Sequence, residues 1–192
     1  KLHLLIVDPS LSDYHHIHPV AGKNPGEYVF DFTPMKNGRY RVWADIVPVA
    51  TGKQEYVRAD MGSPAAEKPV IDKTPRLTSS VKGYDFVLTL DGTAKAGSPL
   101  MAMIAVTKDG KPFAGLEPVM GAFAHVVGFT EDYNSVLHIH PMGKEPSRDN
   151  ARGGPTLTFH IEPKAPGFVK LFAQVRIDGQ NIFVPFGLTV VP

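Results

Sequence analysis

Cysteine is absent from all 192 residues. That removes disulfides, thiolate zinc sites, cysteine nucleophiles and blue-copper centres, each of which needs at least one Cys sulfur. The same absence suits an oxidising compartment as well as any other. Long apolar runs are also missing: nothing approaches the roughly 18 consecutive residues that span a bilayer, so no membrane span is expected in this chain. Charge of one sign is missing as well. Lys plus Arg number 20 against 19 Asp plus Glu, which leaves no basic field for nucleic acid. With Lys1 in first place and no charged leader before an apolar segment, the expected form is a mature or excised piece.

Glycine and proline are plentiful, 18 of each. They punctuate short runs rich in Val, Ile, Phe, Tyr and Thr, such as GEYVFDFTP, YDFVLTLDG and GFVKLFAQVRIDG. Runs of this length between turn residues, with no convincing helical period, predict an all-β sandwich. A hydrophobic content of 43% is enough for a sizeable core.

The chain repeats itself. His3, His16 and His18 recur as His125, His138 and His140, each 122 positions later, and Ile17 and Pro19 recur as Ile139 and Pro141. Beyond the His-Pro the offset becomes 129: Phe30, Pro34, Gly38, Trp43 and Ala44 match Phe159, Pro163, Gly167, Phe172 and Ala173. An insertion within GKEPSRDNARGG accounts for the change. Between the copies, MGSPAAEKPVIDKTPRL has the composition of a linker. The expected organisation is a first repeat over 1–62, a linker over 63–79 and a second repeat over 80–192. Some forty residues lead into the second copy and have no counterpart in the first, so two immunoglobulin-like sandwich repeats are expected, the first a partial one lacking its leading strands.

In each copy a strand, a polar turn and a second strand read as a hairpin. A symmetric turn sets residue i opposite residue 21−i, which places His3 across from His18 and Leu5 across from His16. Side chains alternate with a period of two, so His3, His16 and His18 share one face, and His125, His138 and His140 do the same in the second copy. Directly opposed α-carbons lie about 5 Å apart and successive same-face residues about 7 Å. Three imidazoles so placed can converge on one ion at roughly 2.0 to 2.1 Å. His15 alternates to the other face and is left out of the set.

Imidazole sets suit several transition metals, and affinity generally peaks at copper, with zinc the alternative. Thioethers select Cu(I), and Met120 and Met142, near His125 and His140 in sequence, are possible additional ligands. Met101 and Met103 in LMAMIAV read instead as gap-filling residues of a core strand. His160 reads as facing solvent, Trp43 and Phe172 as core aromatics, and Asp13, Glu131 and Asp132 as ordinary turn residues.

The segments HLLIVDPSLSDYHHIHP and AFAHVVGFTEDYNSVLHIHP, with GRYRVWADIVP and GFVKLFAQVRIDG downstream, resemble bacterial exported domains with His-x-His-Pro hairpins, akin to the YtkA-like group. The resemblance implies an immunoglobulin-like sandwich, periplasmic or secreted, found beside copper- or other heavy-metal-handling proteins as possible partners. The expected function is non-catalytic metal binding for carriage, buffering or resistance. A structural or ligand-recognising sandwich without metal is the alternative. No enzyme is expected: no motif places a general base, a nucleophile elbow or a phosphate loop.

Overall fold

The computed structural model describes residues 2–64, 69–143 and 145–192, with the side chains of His138 and His140 outside that description. The chain is all-β, with no helix among the described residues. It forms two compact units, Lys1–Asp72 and Lys73–Pro192. The division falls inside the stretch read as a linker, and that stretch is partly structured, because Arg76 already exchanges backbone hydrogen bonds with Gly187.

The second unit holds nine strands: β7 (Thr78–Val81), β8 (Tyr84–Leu90), β9 (Leu100–Lys108), β10 (Lys111–Pro112), β11 (His125–Thr130), β12 (Val136–Met142), β13 (Thr156–Ile161), β14 (Gly167–Ile177) and β15 (Gln180–Val190). They are hydrogen-bonded in the order β15-β14-β11-β12-β13-β9-β8-β7, with β10 paired to β9. One strand serves two sheets: Val136 to Ile139 of β12 pair with β11, whereas His140 to Met142 pair with β13. The result is a sheet β15-β14-β11-β12 folded over a sheet β12-β13-β9-β8. That is the immunoglobulin arrangement of strands G, F, C and C′ against D, E, B and A, with β12 acting first as C′ and then as D. Phe86, Ile104 and Phe159 from one sheet meet Val126, Leu171 and Phe186 from the other in a single buried cluster. Each fully buried side chain of this kind contributes about 1.5–3 kcal/mol.

The first unit holds β1 (His3–Val7), β2 (Tyr14–Ile17), β3 (Val20–Ala21), β4 (Tyr28–Val29), β5 (Tyr40–Ile46) and β6 (Glu55–Met61). Its four-stranded sheet runs β2-β1-β5-β6, the repeat of β12-β11-β14-β15. The small β3-β4 pair carries the register Val20 opposite Val29, which repeats Met142 opposite Thr158 between β12 and β13. Strands equivalent to β8 and β9 are missing among the described residues. Val20, Tyr28 and Val29 are consequently left exposed, where in the second unit β13 is flanked by β9.

The hairpin turns are built by side chains. The Asp8 carboxylate accepts the backbone N–H groups of Ser10 (3.0 Å), Ser12 (2.8 Å) and Asp13 (2.8 Å), and Leu11 takes a left-handed φ of 55°. In the second copy Thr130 occupies the repeat position of Asp8, and its hydroxyl accepts the Ser135 N–H at 3.1 Å. A turn closed this way holds the strand register, and the register aims the histidines.

One core position is occupied differently in the two copies. Ile6 is fully buried, while its counterpart Gly128 leaves room for large neighbours: a Cβ there would meet Leu171 and Val169 carbons at 2.9 Å and the Leu137 Cβ at 3.1 Å. Overpacking costs about 1–3 kcal/mol. The Gly128→Ala variant should lose stability in that range, read as a lower denaturant midpoint at unchanged m-value; unaltered stability would show that the pocket yields.

Candidate metal centre

In the first copy the observed pairing is Leu4 with Ile17, Leu5 with His16, Ile6 with His15 and Val7 with Tyr14, the register a symmetric turn dictates. His3 therefore stands opposite His18, one step beyond the last bonded pair. The three rings cluster, with centroids 5.2 Å apart for His3 and His16, 4.5 Å for His3 and His18, and 5.2 Å for His16 and His18. One ring nitrogen from each lies within 4.8 Å of the others. His16 Nε2 is 3.2 Å from His3 Nδ1. Two nitrogens bound tetrahedrally to one ion at about 2.05 Å sit about 3.3 Å apart, so that pair already has the spacing of adjacent ligands. His3 and His16 are half-buried and His18 is exposed, which leaves one side of the cluster open.

An acidic neighbour that sequence reasoning missed lies on the same face. β1 also pairs with β5, and His3 is directly opposite Asp45. The Asp45 carboxylate accepts from Gln54 Nε2 at 2.9 and 3.1 Å and from the Tyr56 hydroxyl at 3.5 Å. Burial first, and then the charge of Asp45, push the Tyr56 phenol well above its usual range; it stays protonated and able to donate. A carboxylate held beside a histidine set orients the ring and raises its basicity. The second copy has Gln174 at this place, opposite His125 and buried.

The second triad, His125, His138 and His140, is described only in part. The backbone sets His138 opposite Val127 and His140 opposite His160, and the side chains of His138 and His140 lie outside the described residues. His125 Nε2 is 3.0 Å from the Val119 carbonyl. As the donor of that bond it leaves the lone pair of a neutral ring on Nδ1, and a backbone carbonyl behind a histidine is the common second partner of a metal ligand. Where β12 departs from β11 a cavity of about 220 Å³ opens, and Met120, His125, Met142 and Glu145 are among its walls. Met120 and Met142 thus share one hollow with His125.

Three residues sit otherwise than their sequence setting suggests. Asp13 is no solvated turn residue: it is 1% exposed and accepts from the Tyr40 hydroxyl at 2.5 Å and the Met35 N–H at 2.8 Å. Glu131 likewise accepts the Phe168 N–H at 3.0 Å and pairs with Lys73; the Lys73 contact first, then the Phe168 N–H, hold its carboxyl below the usual range. His160 is half-buried rather than wholly in solvent. Trp43 and Phe172 are both buried.

The chain belongs to the family described as "Domain of unknown function (DUF8832)", which matches residues 1–62 and 79–191. No curated protein matches it. Among solved structures, domains 4 and 5 of the S-layer protein SbsC are similar at 13% identity and a TM-score of 0.30, over 83% of this chain and 69% of that one.

Proposed function

We propose that this protein binds metal ions without turnover, for carriage, buffering or resistance, in the periplasm or outside the cell. Copper is the leading ion and zinc the alternative. His3, His16 and His18 hold one ion; His125, His138 and His140, with Met120 and Met142 as additional donors, hold another. The observation that carries the reading is the convergence of three imidazole nitrogens within 4.8 Å on an open face. Asp45 beside the first triad adds to it, since a negative neighbour favours a divalent cation. Other exported metal-handling proteins are the partners this role implies.

The competing reading is a hairpin clasp, favoured by the 3.2 Å contact between His16 and His3, which a single shared proton also satisfies. Occupancy against pH separates the two. Protons and metal compete for the same lone pairs, so affinity falls as pH drops through the imidazole range of about 6.5. Protein purified without an affinity tag and loaded with Cu(II) or Zn(II) at neutral pH should bind two ions per chain and release them by a pH of about 4.5, two units below that value. Failure to bind either ion would leave the clasp as the better reading; retention at the lower pH would exclude ligation by histidine alone.

A further inference from the structure

The outer face of β9, β12 and β13 carries soft donors that neither triad uses in full. Leu100, Ala102 and Ile104 are buried, so the alternating Met101 and Met103 turn outward, the reverse of gap-filling core residues. Met103 is 44% exposed and Met142 53%. His160 stands opposite Met101. Thr158 stands opposite Met103 on one side and Met142 on the other.

These register rows are adjacent. Directly opposed residues are about 5 Å apart and same-face neighbours about 7 Å, so Met101, Met103 and His160 occupy three corners of one strand-lattice cell. Thr158 is the fourth corner. It is short, and the long, flexible thioethers of Met103 and Met142 flank it from either side. Met101 and Met103 thus share a lattice cell with the His160 imidazole, across from His140 on β12, at positions where an outward strand face normally places polar side chains. The Asp91 carboxylate at the edge of the Met101 row accepts the Met101 N–H at 2.9 Å; the donors gathered in the cell itself are thioethers and an imidazole, which together suit Cu(I).

The repeat supplies an internal comparison. In the first unit Met142 is replaced by Val20, Thr158 by Val29 and His160 by Asp31, and β9 has no counterpart. The donor face is confined to the second unit, so duplication did not bring it along.

We propose that Met101, Met103 and His160 form a site for a soft monovalent cation, Cu(I) by its chemistry, beside the second triad and using none of its ligands. It stands whether or not the triads bind metal.

The test uses the whole chain labelled with ¹³C at the methionine methyl groups and titrated with silver(I), a redox-inert stand-in for Cu(I), and in parallel with Zn(II). The methyl signals of Met101 and Met103 should move together and saturate near one equivalent of silver, with no response to zinc. Losing even an outer-shell partner typically costs about tenfold in metal affinity, so the double variant M101L/M103L, conservative at outward positions, should weaken silver binding at least that much. The H138N/H140N variant, which removes two ligands of the neighbouring triad, should keep the response of Met101 and Met103. Met35, 75% exposed in the first unit, is the control for adventitious thioether binding. Three outcomes overturn the proposal: Met35 shifting in step with Met101 and Met103, no methyl shift by one equivalent, as an apolar docking face would give, or loss of the response in H138N/H140N.

Discussion

Copper(II) or zinc at about a hundredfold excess over its dissociation constant should raise the unfolding free energy of the first unit by about 2.7 kcal/mol, and the H16N/H18N variant should lose that gain. An ion that binds only the folded state stabilises it by mass action, and the size of the effect depends on the ratio of free ion to dissociation constant rather than on which ligands are used. Asparagine keeps a polar, hydrogen-bonding side chain. Without metal, then, the variant should cost no more than about 1 kcal/mol for the lost contact between His16 and His3. The equivalent pair H138N/H140N should remove the increment from the second unit and leave the first unchanged. Thermal or denaturant unfolding of parent and variants, with and without each ion, gives every term of the comparison. Equal stabilisation of all three proteins would mean that the ions bind elsewhere, and the histidine reading would fall.

Removing one buried carboxylate should do more damage than removing two histidines. Asp13 accepts from the Tyr40 hydroxyl at 2.5 Å and the Met35 N–H at 2.8 Å, and its Oδ1 lies 2.8 Å from His15 Nε2, close enough to pair although not aligned as a hydrogen bond. His15 packs edge-on against Phe32, with ring centroids 4.9 Å apart. Burial first, then the bond to Asp13, push the Tyr40 phenol above its usual range, so it is the donor throughout the stable pH range. The Asp13→Ala variant strands the Met35 N–H, worth about 1–3 kcal/mol when left unsatisfied, and leaves the Tyr40 hydroxyl the Lys36 carbonyl at 3.1 Å as its acceptor, so the total loss should reach about 2–3 kcal/mol. Asp13→Asn keeps one carbonyl acceptor and should lose about half as much. Urea denaturation at neutral pH reads both. A loss below about 1 kcal/mol for the alanine variant would show that water replaces the carboxylate without penalty.

Asp13 and Asp45 illustrate why parts of the site stay hidden until the chain is folded. Asp13 sits in DPSLSD, a composition that signals a turn, and turns are usually solvated. Its burial follows from the return of residues 35–40 across the hairpin, a contact made by chain more than twenty positions away. Asp45 lies in a strand of mixed character, and its place beside His3 depends on the pairing of β1 with β5, a register that no local signal specifies.

The hairpins were legible because every constraint on them is local. A period of two assigns residues to faces, the turn between Val7 and Tyr14 sets the opposing positions, and duplication repeats both, so His3, His16 and His18 could be grouped from the sequence alone. The all-β class, the repeat and the burial of Trp43 and Phe172 come from the same level of information. The tertiary structure decided what depends on distant partners. The passage of β12 from one sheet to the other, and the cavity it opens beside His125, require β13 to compete with β11 for the same strand. The outward turn of Met101 and Met103 required knowing which face of LMAMIAV meets the core: both faces are apolar, and alternation tells which residues travel together but not which side is inside. The core is completed by strands up to ninety residues away, and their packing made that choice.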